Sequence, residues 1–355
     1  MYNSDKNAVT LSTETPIELT WPTYSNLFSI LMSNKESYKW IMNFFVQITG
    51  DIDPRRGTPR LSFIPTNEPS YEWVRCPFLY INQLDKWLID SKWKCFCDFA
   101  IESIDNGFFV YSLLEQSLIR FTSSKSLHRN FIFGYDSQEK ILHVADHFNK
   151  GRYITREVEF DKINEAFVNS DKNDLLPQYK SELLTSTLKQ TTLIKFVKSE
   201  YSFNFEILVD FLSDYLHSKN SMKEYNFYPF YKSIFGLDNY DFLISCLDPL
   251  HLNWINYIDY RPFTMFRDHK KIMNIRIDFL STNYALVRES KLLPRLQKAY
   301  LDLYKISKKN VSFVIKYNTT KNIDIIKLLI ENLSMSKNLE AHAIKDFINI
   351  IGELQ

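Results

Sequence analysis

The sequence predicts an α+β fold in two parts, a mixed N-terminal domain over residues 1–170 and a mainly helical C-terminal domain over 171–355. Three observations predict it. Two apolar runs, Asn130–Tyr135 and Ile141–Asp146, flank a polar turn and read as a β-hairpin. From Leu208 onward, apolar residues recur at three- and four-residue steps, the period of a half-buried helix. Between these regions, Asn169–Tyr179 (NSDKNDLLPQY) is polar and carries a proline, which marks the expected boundary.

Taken in order, the first element is expected near Trp21-Pro22-Thr23. Leu27, Ile30 and Leu31, then Trp40, Ile41, Phe44 and Phe45 after a polar break, form a helical stripe. Thr23 or Ser25 offers a side-chain oxygen to cap its start. Asp51–Arg60 (DIDPRRGTPR) reads as a loop, with two prolines, a glycine and alternating charge. Cys95 and Cys97 alternate with Lys94 and Phe96 as in a strand. Phe108, Val110 and their neighbours suggest another strand, followed by the two arms of the hairpin. Phe148–Phe160 reads as a further strand or loop, and Phe160–Phe167 (FDKINEAF) as a short helix. In the second half, Leu208/Phe211/Leu212/Tyr215/Leu216, Leu292/Leu296/Ala299/Leu303, Ile325/Leu328/Leu329/Leu333 and Ile344/Phe347/Ile348/Ile351 are four helical stripes. Ser312–Tyr317 fits either an extended segment or a buried helix.

Composition narrows the function classes. The 43 Lys+Arg nearly balance the 42 Asp+Glu, for a net charge of +1, which argues against a dedicated polyanion or nucleic-acid binder. Only 7 glycines occur in 355 residues, so a glycine-rich phosphate loop is not expected, and no cofactor is implied. The N-terminus MYNSDKNAVTLSTETP lacks the apolar core of a signal peptide, and no run approaches the ~20 apolar residues that span a bilayer. A cytoplasmic setting without membrane contact is expected. The four cysteines make no disulfide framework, and Cys95-Phe96-Cys97 lacks the spacing and the second ligand pair of a metal hook.

The hairpin brings the candidate chemistry together. If Tyr135 opposes Ile141, then Asn130 faces Asp146 and His128 lies diagonally across from it. A turn shorter by two residues would put His128 directly opposite Asp146. In either register the three project on one face, because side chains alternate with period two. A carboxylate in that place can orient an imidazole and stabilise its protonated form. An ordinary hydrogen-bonded surface pair has the same spacing. His143 falls on the opposite face, and His147 follows where the strand can already have ended. His217, His251, His269 and His342 have no obvious partner in the sequence.

The stretch Ile104–Phe167 carries Gly107-Phe108-Phe109-Val110, then Leu127-His128-Arg129-Asn130-Phe131-Ile132-Phe133-Gly134-Tyr135-Asp136, then Val144-Ala145-Asp146. It resembles the N-terminal domain of the butirosin biosynthesis protein H family. It is similar, more distantly, to the C39 peptidases, whose fold is papain-like. Ile234-Phe235-Gly236-Leu237 and Arg267-Asp268-His269-Lys270-Lys271 also look like the C-terminal region of such proteins. The resemblance implies a papain-like catalytic domain in which His128 is the general base and Asp146 its orienter. It implies an acyltransferase of antibiotic biosynthesis. An acyl group would pass from a phosphopantetheine thioester on an acyl or peptidyl carrier protein to the enzyme nucleophile, and then to a small amine.

The family has a cysteine near the start of its central helix. The matching position here falls in Pro22–Leu31 and offers Ser25. Three readings of Ser25 follow: a cysteine-to-serine change, a serine nucleophile working with His128, or a dead site in a non-catalytic partner of a biosynthetic complex. A C39-like peptidase is a further alternative. A carrier protein is typically acidic, which favours a basic docking surface. Phe266–Lys298 holds eight Lys/Arg against three acids, and Arg267, Lys270, Lys271 and Arg276 are the expected docking residues, although a solvated helix face carries the same charges.

Overall fold

A computed structural model describes residues 6–17, 20–53, 56–64, 76–120, 126–149, 152–171, 190–221, 233–247 and 257–352. It shows a mixed α+β protein with an antiparallel sheet and a helical C-terminal region. The chain forms two compact units, Met1–Tyr38 with Glu68–Tyr201, and Lys39–Asn67 with Ser202–Gln355. It is therefore not divided by a single cut near residue 170. Of the described residues, 39–53 and 56–64 belong with the C-terminal helices and 190–201 with the N-terminal sheet. Of the expected boundary Asn169–Tyr179, residues 172–179 lie outside the described residues.

The first unit is built on a seven-stranded sheet in the order β4-β9-β5-β6-β7-β8, with β1 beside the far end of β6. The strands are β1 (Ala8–Thr10), β4 (Leu79–Leu84), β5 (Phe109–Glu115), β6 (Leu127–Asp136), β7 (Ile141–Asn149), β8 (Arg152–Glu159) and β9 (Thr191–Phe196). The hairpin β6–β7 forms, but its turn is offset by one residue. Tyr135 pairs with Leu142 and Asp136 with Ile141. Asp136 Oδ1 closes the turn by accepting the Gln138 and Glu139 N–H groups at 2.8 and 3.0 Å. A bulge between Ile132 and Gly134 takes up the extra residue. Beyond it Ile132 faces Val144 and Phe131 faces Ala145, in the expected register. Gly134 is required there, since a Cβ would lie 2.8 Å from the Val9 carbonyl of β1.

One sheet face is covered by α4 (Phe96–Asp105) and α6 (Phe160–Asn169), with α3 (Lys86–Lys92) before them. Phe96, Phe99, Ala100, Ile163 and Phe167 pack on Val110, Leu114, Ile132, Val144 and Val158. The strand expected at Cys95–Cys97 is instead the start of α4. The three-four spacing of Phe96, Phe99, Ala100 and Ile104 outweighs the short alternation around the two cysteines.

The opposite face meets α1 (Pro22–Leu31). Its N-cap is Trp21, which makes no side-chain cap, with Pro22 at the first helical position. Neither Thr23 nor Ser25 caps the helix. Thr23 Oγ1 turns to the Tyr111 hydroxyl at 3.2 Å, and Ser25 lies too far into the helix to act as a cap.

The second unit opens with most of α2 (Lys35–Asn43) and the hairpin β2 (Ile48–Ile52)–β3 (Pro59–Phe63), with β10 (Ile234–Phe235) on its edge. The expected loop Asp51–Arg60 is tighter than its composition suggests, because both ends pair across the hairpin. The helices are α7 (Phe205–Leu216), α8 (Asp238–Cys246), α9 (Arg261–Asn283), α10 (Ala285–Glu289), α11 (Leu293–Thr320) and α12 (Asp324–Gly352). Ser312–Tyr317 is helical, and the last two apolar stripes run along one helix, α12. No helix among the described residues is long and apolar enough to cross a membrane.

The largely apolar core of this unit also encloses charged side chains, and these correct the expected docking surface. Lys270 and Arg276 are fully buried and cannot meet a partner. Lys270 Nζ lies 2.6 Å from both Glu340 oxygens, and Glu340 also accepts the Tyr215 and Tyr240 hydroxyls at 3.2 and 2.8 Å. His269 Nε2 donates to the Val46 carbonyl at 2.8 Å and its Nδ1 takes a Lys270 proton at 3.0 Å. Arg276 ties α9 to α2 through the Met42 carbonyl at 2.8 Å and binds the Phe44 carbonyl just beyond it. Burial lowers the Lys270 ammonium, although the Glu340 charge opposes the shift. Burial and the Lys270 charge push His269 well down, so it stays neutral. Arg267 and Lys271 are half-buried, and Arg267 is paired to Asp268 at 2.7 Å. Removing one member of a buried pair strands the other charge, so Lys270→Met should destabilise the unit by about 3–5 kcal/mol. Lys270→Met with Glu340→Leu should recover most of that, measured as urea midpoints of the two variants.

Candidate functional site

The hairpin puts His128 and Asp146 on the same face, as its alternation predicts. His128 Nδ1 lies 3.1 Å from Asp146 Oδ2 and 2.8 Å from the carbonyl of Arg129. Both neighbours are acceptors, so Nδ1 carries the proton and Nε2 is the titrating atom. Asp146 is 1% exposed while the His128 side chain is 38% exposed, so the anion is enclosed and the cation reaches solvent. Arg120, at the end of α5 (Gln116–Arg120), donates Nη2 to the same Oδ2 at 2.7 Å. The other oxygen, Oδ1, accepts the backbone N–H of His147 at 2.7 Å. Burial works against both charges. For Asp146 it raises the pKa, but the His128 and Arg120 charges and the His147 N–H outweigh it and the carboxyl ends below its ordinary value. For His128 it lowers the pKa, but the charge and hydrogen bond of Asp146 outweigh it and the imidazole ends above its ordinary value.

Ser25 is not part of this cluster. Its Oγ lies 3.3 Å from Nε2 of His147. Period two explains the split. Asp146 shares its face with Val144 and Leu142, toward α4 and α6, whereas His147 shares the face of Ala145, toward α1. Every contact named between α1 and the strands lies on that second face: Thr23 with Tyr111, Ser25 with His147, and Asn26 Oδ1 accepting from the Tyr153 hydroxyl at 2.8 Å. The expected grouping of Ser25, His128 and Asp146 is thus divided by the sheet into Ser25 with His147 and His128 with Asp146.

His147 is the residue that the sequence analysis missed. β7 continues to Asn149, so His147 lies within the strand rather than beyond it. The irregular register against β8 between Asp146 and Asn149 hides it from a simple pattern. The Tyr153 ring meets the His147 ring edge-on at 5.8 Å, and burial pushes the Tyr153 hydroxyl far up, so it remains a neutral donor. Ser25 and Asn26 are fully buried, and the Ser25 N–H is bonded to the Trp21 carbonyl at 3.3 Å. Three of the four cysteines, Cys76, Cys97 and Cys246, offer no better nucleophile. Burial pushes Cys76 up to about 12 and Cys97 further still, and it also raises Cys246. Among the described residues no group of His, Cys, Asp and Glu is placed to hold a metal. His251 lies outside the described residues.

Compared with models of known protein families and with curated proteins, the chain matches none of them.

The Asp146 cluster carries a defined pH signature. Asp146 is lowered, so its share of stability is present above the unfolded value of about 3.9 and fades as pH falls through the folded one. His128 is raised, so its share is present below about 6.5 and fades as pH rises through the folded value. Asp146→Asn should cost about 1–3 kcal/mol near pH 5 and flatten both limbs, measured by denaturant titration from pH 3 to 9.

Proposed function

We propose that the protein is an acyltransferase that forms an amide by moving an acyl group from a carrier-protein thioester to a small amine, with Ser25 as nucleophile and His147 as its base. The observation that carries this reading is the hydroxyl–imidazole contact of 3.3 Å in a buried corner. Ser25 Oγ attacks the thioester carbonyl while His147 Nε2 takes its proton. The C–S bond breaks and the thiolate leaves with that proton. The amine then attacks the seryl ester, the C–O bond breaks, and Ser25 regains a proton as the amide departs. A buried site favours the amine over water. The substrate class and the place in antibiotic biosynthesis rest on the resemblance of Ile104–Phe167 to the butirosin biosynthesis protein H family. That resemblance casts His128 as the base, and the geometry favours His147 at Ser25 instead.

A second reading, a non-catalytic partner in a biosynthetic complex, is favoured by the complete burial of Ser25. Ser25→Cys separates the two. In an enzyme, the new thiol beside His147 takes up an acyl group from a small thioester, seen as added mass on the intact protein. It also reacts with iodoacetamide faster than Cys76, Cys95, Cys97 or Cys246. Adding His147→Ala should cut acylation by roughly 10²–10⁴-fold, and adding His128→Ala should cut it less. A thiol at position 25 as inert as the other four favours the binding partner.

A further inference from the structure

Asp146 is a single buried carboxylate with three donors. Oδ2 takes both Arg120 Nη2 at 2.7 Å and His128 Nδ1 at 3.1 Å, and Oδ1 takes the His147 N–H at 2.7 Å. Arg120 is itself held, with Nε donating to Gln116 Oε1 at 2.6 Å one turn back on α5. Its guanidinium also lies over the Phe148 ring, 5.7 Å from the centroid, and Arg156 of β8 lies 4.8 Å from the same ring. The nearby carboxylate of β5, Glu115, is taken up by the N–H and hydroxyl of Ser117 at 2.8 and 2.7 Å. Asp146 is thus the anion on which Arg120 and His128 converge.

We infer that Arg120 is a positioning residue that fixes Asp146, so that one carboxylate oxygen orients the His128 ring on one sheet face and the other anchors the backbone of His147 on the opposite face. The guanidinium competes with His128 for Oδ2. A carboxylate shared between two cations gives less to each, so His128 titrates nearer neutrality than it would over an undivided aspartate. The Arg120 charge acts on His128 in the same direction, lowering it against the pull of Asp146. The inference rests on the resting geometry of the pair and does not require acyl transfer. It still bears on the proposed site, because His147 is the ring beside Ser25.

The test is an NMR titration of the histidine ring protons in the full-length protein. Arg120→Met should move the His128 midpoint upward by about one pH unit, and it should displace the His147 resonance as Asp146 relaxes. Arg120→Lys restores the charge without the fork that spans Gln116 and Asp146, so it should return most of the His128 midpoint but not the His147 resonance. If Arg120→Met does not fold, Gln116→Ala frees only the Arg120 Nε and should give a smaller shift in the same direction. An unchanged or lowered His128 midpoint in the variants that fold overturns the inference. A raised midpoint with an undisturbed His147 overturns its positioning half. Because the readout needs no substrate, it is independent of whether Ser25 can be acylated.

Discussion

Everything at the candidate site depends on one property of the β-strand: consecutive side chains leave on opposite faces. Asp146 and His147 are neighbours in β7, yet one belongs to the face under α4 and α6 and the other to the face under α1. No rotamer brings both to the same place. A hydroxyl delivered by α1 therefore meets the histidine and not the aspartate. The aspartate collects His128 from β6 and Arg120 from α5 instead. The two groups remain coupled through the backbone, because the carboxylate binds the N–H of the residue that follows it.

The same logic of sides decides the charged residues of the second unit. Helix α9 buries Phe266, Met273, Ile277 and Leu280, and Lys270 falls in line with them at helical spacing. An ammonium in that line needs an anion, and Glu340 from α12 supplies it, ringed by tyrosine hydroxyls. Arg276 meets the same problem with the carbonyls at the end of α2. A count of cations along α9 describes a basic surface, whereas the position of each cation on the helix describes charges enclosed in a largely apolar core. The difference is the reason that two of the four expected docking residues point inward.

Much of the fold was legible. The hairpin, the helical second half and the short helix at Phe160 follow from periodicity alone, and the His128–Asp146 pair follows from strand alternation even with the turn offset by one residue, since the bulge at Phe133 restores the register. What was not legible depends on long-range contacts. β9 joins the sheet between β4 and β5 from well past the expected boundary, and residues 39–53 and 56–64 join the helical unit. The place of Ser25 could not be read either, because the sequence does not say which sheet face α1 covers. His147 would have been found by extending the strand to Asn149, but the irregular pairing against β8 blurs that end.

Serine at position 25 constrains how such a corner can work. A thiol beside an imidazole can ionise before its substrate arrives, because the two groups have similar proton affinities. A buried hydroxyl cannot, since its alkoxide would be far too costly away from water. In the proposed reaction its proton would have to pass to His147 as the new bond forms, over a contact that at 3.3 Å is loose for a hydroxyl and an imidazole. Empty sites commonly tighten such contacts when substrate binds. In the proposed reaction the tightening would have to come from α1 or from the ring, and the ring stands on a backbone already held by Asp146 and edge-on to Tyr153. With the imidazole side fixed by the sheet, the freedom to close that distance lies with α1 and with the rotamer of Ser25 itself.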